Sequence, residues 1–327
     1  MSTQTKDIPQ ALQNLRLPVI AAPMFTVSYP ELVKAQCKAG IVGSFPALNA
    51  READQLDKWL SDINQELISY KESHPQAIIG PVAVNLIIHD SNPRLAEDLA
   101  TCVKHQVPII ITSLRAPVPE LIEQVHAYGG IILHDVINLR HAQKAIEAGV
   151  DGLILVASGA GGHAGRLSPM ALVAEVKQIF DGPIILSGAI STGDAVLAAQ
   201  VMGADFAYLG TKFIASDEAN AVAEYKQAII NAKAADILYS DHFSGVHGNY
   251  LKESIVSAGL DPDNLDESSK NKMNFTEGSS NVKAWKDIWG AGQGVGVIDE
   301  ILPVATIVDT LEKEYYAALD RISLYKK

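Results

Sequence analysis

The stretch 156-VASGAGGHAGRLSP-169 decides the fold. Its Gly159-x-Gly161-x-x-Ala164 spacing fits a dinucleotide fingerprint, in which small residues let the main chain turn closely around a pyrophosphate. The same residues also suit a loop that follows a barrel strand and presents His163 to a substrate. The two readings part at Ala164. In a dinucleotide-binding unit the last small position already lies inside a helix. Here Ala164 is followed by Gly165-Arg166-Leu167, and Ser168-Pro169 look like the N-cap and first residue of the next helix. The glycine-rich stretch is therefore a long loop, not the opening turn of a helix.

Working outward, apolar runs rich in Val and Ile alternate with amphipathic segments. The runs are LPVIAA (17–22), IVGSF (41–45), IGPVAVNLII (79–88), PIIITS (108–113), GIILHDV (130–136), DGLILVA (151–157), PIILSG (183–188) and ADFAYLG (204–210). Short continuous apolar runs suit strands buried on both faces, as in a parallel sheet. Helix-like segments between them include 30–40, 138–149, 168–180, 192–203 and 218–230, several ending at glycine. The alternation gives eight strand–helix units between residues 17 and 230, which predicts a (β/α)₈ TIM barrel of α/β class. A doubly wound sheet is the alternative with the same count.

The expected organisation is a polar leader (1–16), the barrel (17–230), and a C-terminal lid and helical extension (231–327). In the last part, DHFSGVHGNYLKESI (241–255) mixes aromatic residues with Gly and His. DPDNLDESSKNK (261–272) reads as a polar surface loop, and 297–319 as one or two helices returning to the barrel. Loops after barrel strands usually cover the active site.

Composition removes several function classes. The formal net charge is −12, and Lys and Arg gather in no run, which argues against nucleic acid as a partner. No apolar run approaches the roughly 20 residues that span a bilayer, and the N-terminus lacks a signal-peptide pattern. Cys37 and Cys102 show no C-x-x-C spacing and read as two reduced thiols. These features predict a cytoplasmic protein without membrane partners. No metal-ligand spacing is present, and no P-loop or G-x-S-x-G elbow.

The end of a barrel strand is where catalytic groups are mounted. His163 stands there between glycines, able to exchange a proton near neutral pH, or else to order its loop. Ser187-Gly188 and Gly210-Thr211 end the seventh and eighth strands, where barrels often bind phosphate. Ordinary tight turns are the alternative for both. Ala21-Ala22-Pro23-Met24 puts small residues and a polarizable side chain at the mouth, and Asn85 interrupts an apolar strand with an amide that needs partners. His134-Asp135 end the fifth strand, and His242 and His247 lie in the lid segment. A structural role is the preferred reading for these.

These residues resemble the nitronate monooxygenases, FMN-dependent barrel enzymes. The similarity runs through VIAAPM (19–24), VNL (84–86), AGGHAG (160–165), LSGAIS (186–191), GADFAYLGTKF (203–213) and IWGAGQGVG (288–296). The resemblance implies that Gly161, Gly162, Gly188, Leu209, Gly210 and Thr211 hold the FMN phosphate and ribityl chain, largely through backbone N–H groups, with Ser187 beside them in the strand-end turn. It puts Met24 against the isoalloxazine, Asn85 and Tyr208 beside the flavin, Gln293 in a tail segment near it, and His163 at the catalytic position. The implied reaction is oxidation of an alkyl nitronate by FMN and O2 to a carbonyl compound and nitrite. Val156 and Ser158–Gly159 stand where many members carry Gln and then an acidic residue, so substrate preference does not transfer. The same superfamily contains NAD(P)H-dependent flavin reductases acting on quinones or enoyl thioesters. From other classes, a non-catalytic phosphate-ligand binder and a sugar-phosphate lyase or isomerase complete the alternatives. No lysine at a strand end supports the last. Oligomeric state stays open.

Overall fold

Eight short strands run parallel and side by side: β1 (Val19–Ala21), β2 (Gly43–Pro46), β3 (Val82–Ile88), β4 (Ile109–Leu114), β5 (Ile131–Val136), β6 (Gly152–Val156), β8 (Ile184–Ser187) and β9 (Phe206–Leu209). Between the sixth and seventh of them lies β7 (Gly162–His163), which belongs to a separate small sheet. The large sheet has the order β1-β9-β8-β6-β5-β4-β3-β2. Its ends meet where Ile20 bridges Val42, with Ala21 N–H donating to Val42 C=O at 2.9 Å. The sheet thus curls into a TIM barrel, described over residues 7–52, 54–265 and 287–324 of a computed structural model.

Side chains alternate across each strand, so one set points into the barrel and the next toward the helices. Ile20, Val42, Ala83, Ile109, Ile111, Leu133, Ile154, Ile185 and Phe206 fill the interior. Val19, Val84, Ile110, Ile132, Leu153, Leu155, Ile184 and Leu186 join the outer core under the helices. Both faces are apolar, which is why the strands read as unbroken hydrophobic runs. The leader is not idle. A 3₁₀ turn at Gln10–Leu12 puts Leu12, 2% exposed, into the interior cluster, with Ile8 and Leu15 packed around it.

Helices α1 (Pro30–Lys38), α2 (Gln55–Ser73), α3 (Leu95–Lys104), α4 (Pro119–His126), α5 (Leu139–Ala148), α6 (Pro169–Val176) and α7 (Gly193–Met202) follow the strands. Asn138 and Thr192 cap α5 and α7 by accepting from the N–H groups of His141 and Ala195. After β9 come a single turn, α8 (Thr211–Ile214), and α9 (Ala223–Asn231). The expected helix at 218–230 begins only at Ala223. The preceding residues are committed elsewhere: the Glu218 carboxylate accepts from Val304 N–H and Asn220 N–H donates to Val27 C=O.

The C-terminal part packs on the barrel in two places, against the loop after β6 and along the outer helices. Strands β10 (Ile237–Ser240) and β11 (Gly248–Leu251) form an antiparallel pair that adds β7 as a third strand, followed by α10 (Lys252–Ser257). The polar loop expected at 261–272 lies largely outside the described residues. The tail forms one long helix, α11 (Val304–Ser323), entered from Pro303. It lies along α7 and α1. Glu314 accepts from Gly193 N–H at 2.7 Å, Tyr315 donates to Gln200 at 2.6 Å, and Arg16 pairs with Glu312 at 2.5 Å and Asp309 at 2.8 Å.

His134 on β5 points outward into the core, 2% exposed, with Nδ1 2.8 Å from Thr112 Oγ1. Burial lowers its pKa to about 4. An unfolded chain therefore takes up the proton first as pH falls. The stabilisation is intact above the unfolded value of about 6.5 and is lost as pH drops toward 4. Between pH 7 and pH 5 this group should cost roughly 2 kcal/mol of unfolding free energy. Urea titrations of wild type and His134→Gln at the two pH values check it: the variant should lose less by about that amount.

Candidate active site

At the C-terminal end of the barrel strands lies a cavity of about 370 Å³, the place where barrels carry out chemistry. A wider groove of about 730 Å³ sits beside Leu12, Pro18 and Tyr315, next to the chain segments that enter β1. Of the residues singled out in the sequence, Met24, Asn85, Gly161, Gly162, His163, Ser187, Gly188, Tyr208, Gly210 and Thr211 all line the first cavity. Leu209 does not. The strand alternation that turns Tyr208 inward turns Leu209 out into the helix-side core, fully buried. Gln293 is also absent from the wall, though Gly292 and Gly294 on either side of it are present.

The loop after β6 is tied at its base and at its tip. Gly165 N–H donates to Val156 C=O at 3.1 Å and Ser158 N–H to Leu167 C=O at 2.8 Å. Further out, Gly162 and His163 pair with Asn249 and Gly248 of β11. Ala164 N–H donates to His247 C=O, the Asn249 side chain to Ala160 C=O, and the tail's Gln293 N–H to Gly159 C=O. Helix α6 then starts at Pro169 with Ser168 as its N-cap residue, as the sequence indicated. The dinucleotide reading is thereby excluded: the small residues lie in a strand-paired loop.

His163 faces the cavity with Nε2 2.9 Å from Ser244 Oγ. Ser244 also bonds Val246 C=O at 2.9 Å. Burial lowers the His163 pKa to about 4, because the apolar surroundings disfavour the imidazolium. The ring is neutral at physiological pH. Ser244 was not foreseen, because a serine in a Gly- and His-rich segment carries no spacing signal. His242 is buried against Phe243, and His247 stacks on Tyr239 beside Arg166. Neither lines the cavity.

The floor is a polar layer inside the barrel. Asn85 Nδ2 donates to Ser113 Oγ at 2.7 Å and to Ile111 C=O at 3.2 Å, and Ser113 donates to Asp135 Oδ2 at 2.5 Å. Asp135 Oδ1 and the Tyr208 hydroxyl are buried without a partner among the described residues. Desolvation pushes the Asp135 carboxyl up to about 7, and desolvation together with that carboxyl raises Tyr208 well above its ordinary value. Of the pair His134-Asp135, only the aspartate reaches the site. Its signal was positional: it shares the inward face with Leu133, two residues earlier.

Backbone strain collects at the same place. Thr26 (φ 63°), Leu114 (φ 79°) and Ala189 (φ 55°) hold left-handed conformations and line the cavity, and such outliers persist where surrounding structure imposes them. Gly162 (φ 65°) has open space where a Cβ would stand, so the main chain itself forms the wall there. Gly188 (φ 140°) lies against the loop after β6, and a Cβ would come 2.7 Å from Ser158 C=O. Thr211 Oγ1 accepts from Gly292 N–H at 2.9 Å, joining the turn after β9 to the C-terminal tail.

A planar heteroaromatic group fits this cavity on two counts: the open main-chain wall at Gly162, and the unpartnered polar atoms of the floor. No group of three or more His, Cys, Asp or Glu suited to a metal occurs among the described residues. Cys37 and Cys102 are free and buried, and burial raises both thiols, Cys37 to about 12. No helix among the described residues is long and apolar enough to cross a membrane.

Comparisons with known proteins point to one family. A family model described as nitronate monooxygenase matches residues 7–314. A nitronate monooxygenase of Paraburkholderia phytofirmans is 25% identical, with 95% of each chain covered. A probable nitronate monooxygenase of Staphylococcus haemolyticus is 22% identical over 84% of this chain and 88% of its own. Among solved structures, a nitroalkane oxidase from Streptomyces ansochromogenes superposes with a TM-score of 0.76 at 24% identity, over 96% of this chain and all of its own. FabK from Thermotoga maritima gives 0.75 at 23% identity, over 96% and 97%. At these identities the solved structures speak to the fold. The match across nearly the whole sequence says more: the chain belongs to the nitronate monooxygenase family of flavin-dependent oxidoreductases.

Proposed function

We propose that this protein oxidises alkyl nitronates with FMN and O2 to a carbonyl compound and nitrite, with His163 as the group that meets the substrate. The observation that carries the reading is a neutral imidazole on a pinned loop, facing an apolar cavity with a polar floor. Gly188, Gly210 and Thr211, with Gly161 and Gly162 opposite, would hold the phosphate and ribityl chain. Met24 would pack against the ring and Asn85 beside it. When bound, FMN supplies the electron chemistry of the oxidation.

The protein's own residues supply orientation, dryness and a place for a proton. With a pKa near 4, His163 is a weak base for removing a proton from carbon, and a suitable hydrogen-bond partner for an anion. A nitronate arriving as the anion fits this better than a neutral nitroalkane. Its negative charge would in turn raise the proton affinity of the imidazole. Ser244 fixes the ring through Nε2. The segment 231–327 would act as a lid over the 17–230 barrel, since β11 pairs with the His163 loop, and a closed site would keep water from the reaction. A cytoplasmic location suits a small-molecule oxidoreductase of this kind.

The deciding experiment is the anaerobic visible spectrum of the FMN-loaded protein. Propyl-2-nitronate should bleach the flavin band, and neutral 2-nitropropane should do so far more slowly. Bleaching by NAD(P)H with no response to nitronate would replace the reading with a flavin reductase. Bound FMN that responds to neither would indicate a binding protein, and no FMN uptake would remove the cofactor assignment.

Two substitutions test individual parts. His163→Asn should keep FMN and lower kcat/KM for nitronate by on the order of 10²-fold or more, the usual weight of a positioned acid–base or hydrogen-bonding group. Gly188→Ala should raise the FMN Kd about tenfold, equivalent to about 1.4 kcal/mol, because alanine is strained at φ 140° and its Cβ meets Ser158 C=O. Titration of apoprotein by quenching of FMN fluorescence measures it.

A further inference from the structure

We propose that Asp135 and Tyr208 form a hydrogen-bonding edge on the barrel floor that recognises the imide edge of the flavin ring, where one N–H stands between two carbonyls. The inference rests on the FMN reading above and assigns a function to two atoms that reading leaves unused.

The starting point is a polar chain with a direction. Both hydrogens of the Asn85 amide are spent, on Ser113 Oγ and Ile111 C=O, and the Ser113 hydroxyl donates onward to Asp135 Oδ2. The relay ends at the carboxylate, whose other oxygen accepts nothing among the described residues. The Tyr208 hydroxyl, on β9, is in the same condition, and its side chain is 7% exposed. Both side chains line the cavity. A buried polar atom without a partner costs about 1–3 kcal/mol, and native interiors rarely leave two in one layer.

The two atoms are of complementary kind. Oδ1 of an ionised Asp135 can only accept, and the phenol can donate. A ligand that satisfies both must present a donor beside an acceptor on one rigid edge. The isoalloxazine has one such edge, since its dimethylbenzene end is apolar. The remaining wall suits that end: Ile87, Ile137, Val156, Ile190 and Ile214 offer only hydrocarbon. The groups facing Asp135 are Ser113 on the adjacent strand β4 and, across the barrel interior, Tyr208 on β9, and among the described residues no cation acts on its carboxyl.

The test compares FMN with N3-methyl-FMN, which keeps both carbonyls and loses the N–H, by fluorescence titration of apoprotein. Wild type should bind the methylated flavin at least tenfold more weakly, and Asp135→Ala should bind the two alike. Tyr208→Phe supplies a second measurement with opposite signs: a higher apoprotein melting temperature, because an unpartnered hydroxyl is removed, and an FMN Kd raised several-fold. A purely structural hydroxyl would not weaken binding. Wild type that binds FMN and N3-methyl-FMN equally overturns the inference while leaving the FMN reading in place. So does a Tyr208→Phe protein that is less stable and binds FMN normally, since the hydroxyl would then be closing on Asp135. Wild type that takes up neither flavin overturns both.

Discussion

The pairing of Gly162 and His163 with Asn249 and Gly248 is the contact on which the rest of the site depends. A loop of ten residues rich in glycine has high conformational entropy, and ordering each residue costs about 1–2 kcal/mol. The loop's own bond, Ser158 N–H to Leu167 C=O, ties only its base. The ladder to β11, the Asn249 amide and the tail's Gln293 N–H supply the missing partners. The C-terminal segment is thus more than a cover. It completes the strand on which His163 is mounted, and it carries Ser244, the group that orients the imidazole. A barrel ended at α9 would keep the cavity floor and lose the fixed position of its histidine.

The second constraint is the two-residue period of the strands. Because side chains alternate, each strand contributes to the interior at every other position, and the interior is built in layers. Lower layers are hydrocarbon: Ile109, Ile131, Ile154, Ile185, Phe206. Toward the C-terminal mouth the inward positions become Asn85, Ser113, Asp135, Ser187 and Tyr208. The change of character occurs on five strands, each time near the C-terminal end. Such a layer is costly unless its members bond one another or something bound above them, and here the bonds run in one direction and stop at the cavity.

Most of the fold was legible because a parallel barrel buries both strand faces, and the apolar runs announce that directly. The loop reading of 158–167 followed from one local fact, the Ser-Pro helix start. What escaped the sequence was long-range. Ser244 matters only because a segment 81 residues away folds back on His163. Leu12 reads as part of a polar leader and instead packs with the barrel interior. Leu209 was grouped with its turn, although strand parity alone sends it outward, opposite to Tyr208. Parity would also have separated Asp135 from His134. A strand places adjacent residues on opposite faces, so the side chains of each pair divide between the site and the outer core.

Burial acts on the two ionisable groups of the cavity in opposite chemical senses and with one electrostatic result. It lowers His163 and raises Asp135, so each is driven toward its neutral form. With values of about 4 and about 7, the imidazole is neutral at neutral pH while the carboxyl is divided between its two forms. The empty site therefore holds no imidazolium that would bind any anion in passing. It gains charge when an anion arrives beside His163 and makes protonation of the imidazole favourable. The arrangement favours a ligand that brings its negative charge to a specific atom over one that is merely acidic. Selectivity then resides in the position of the imidazole, which returns the argument to the two strand residues that hold it.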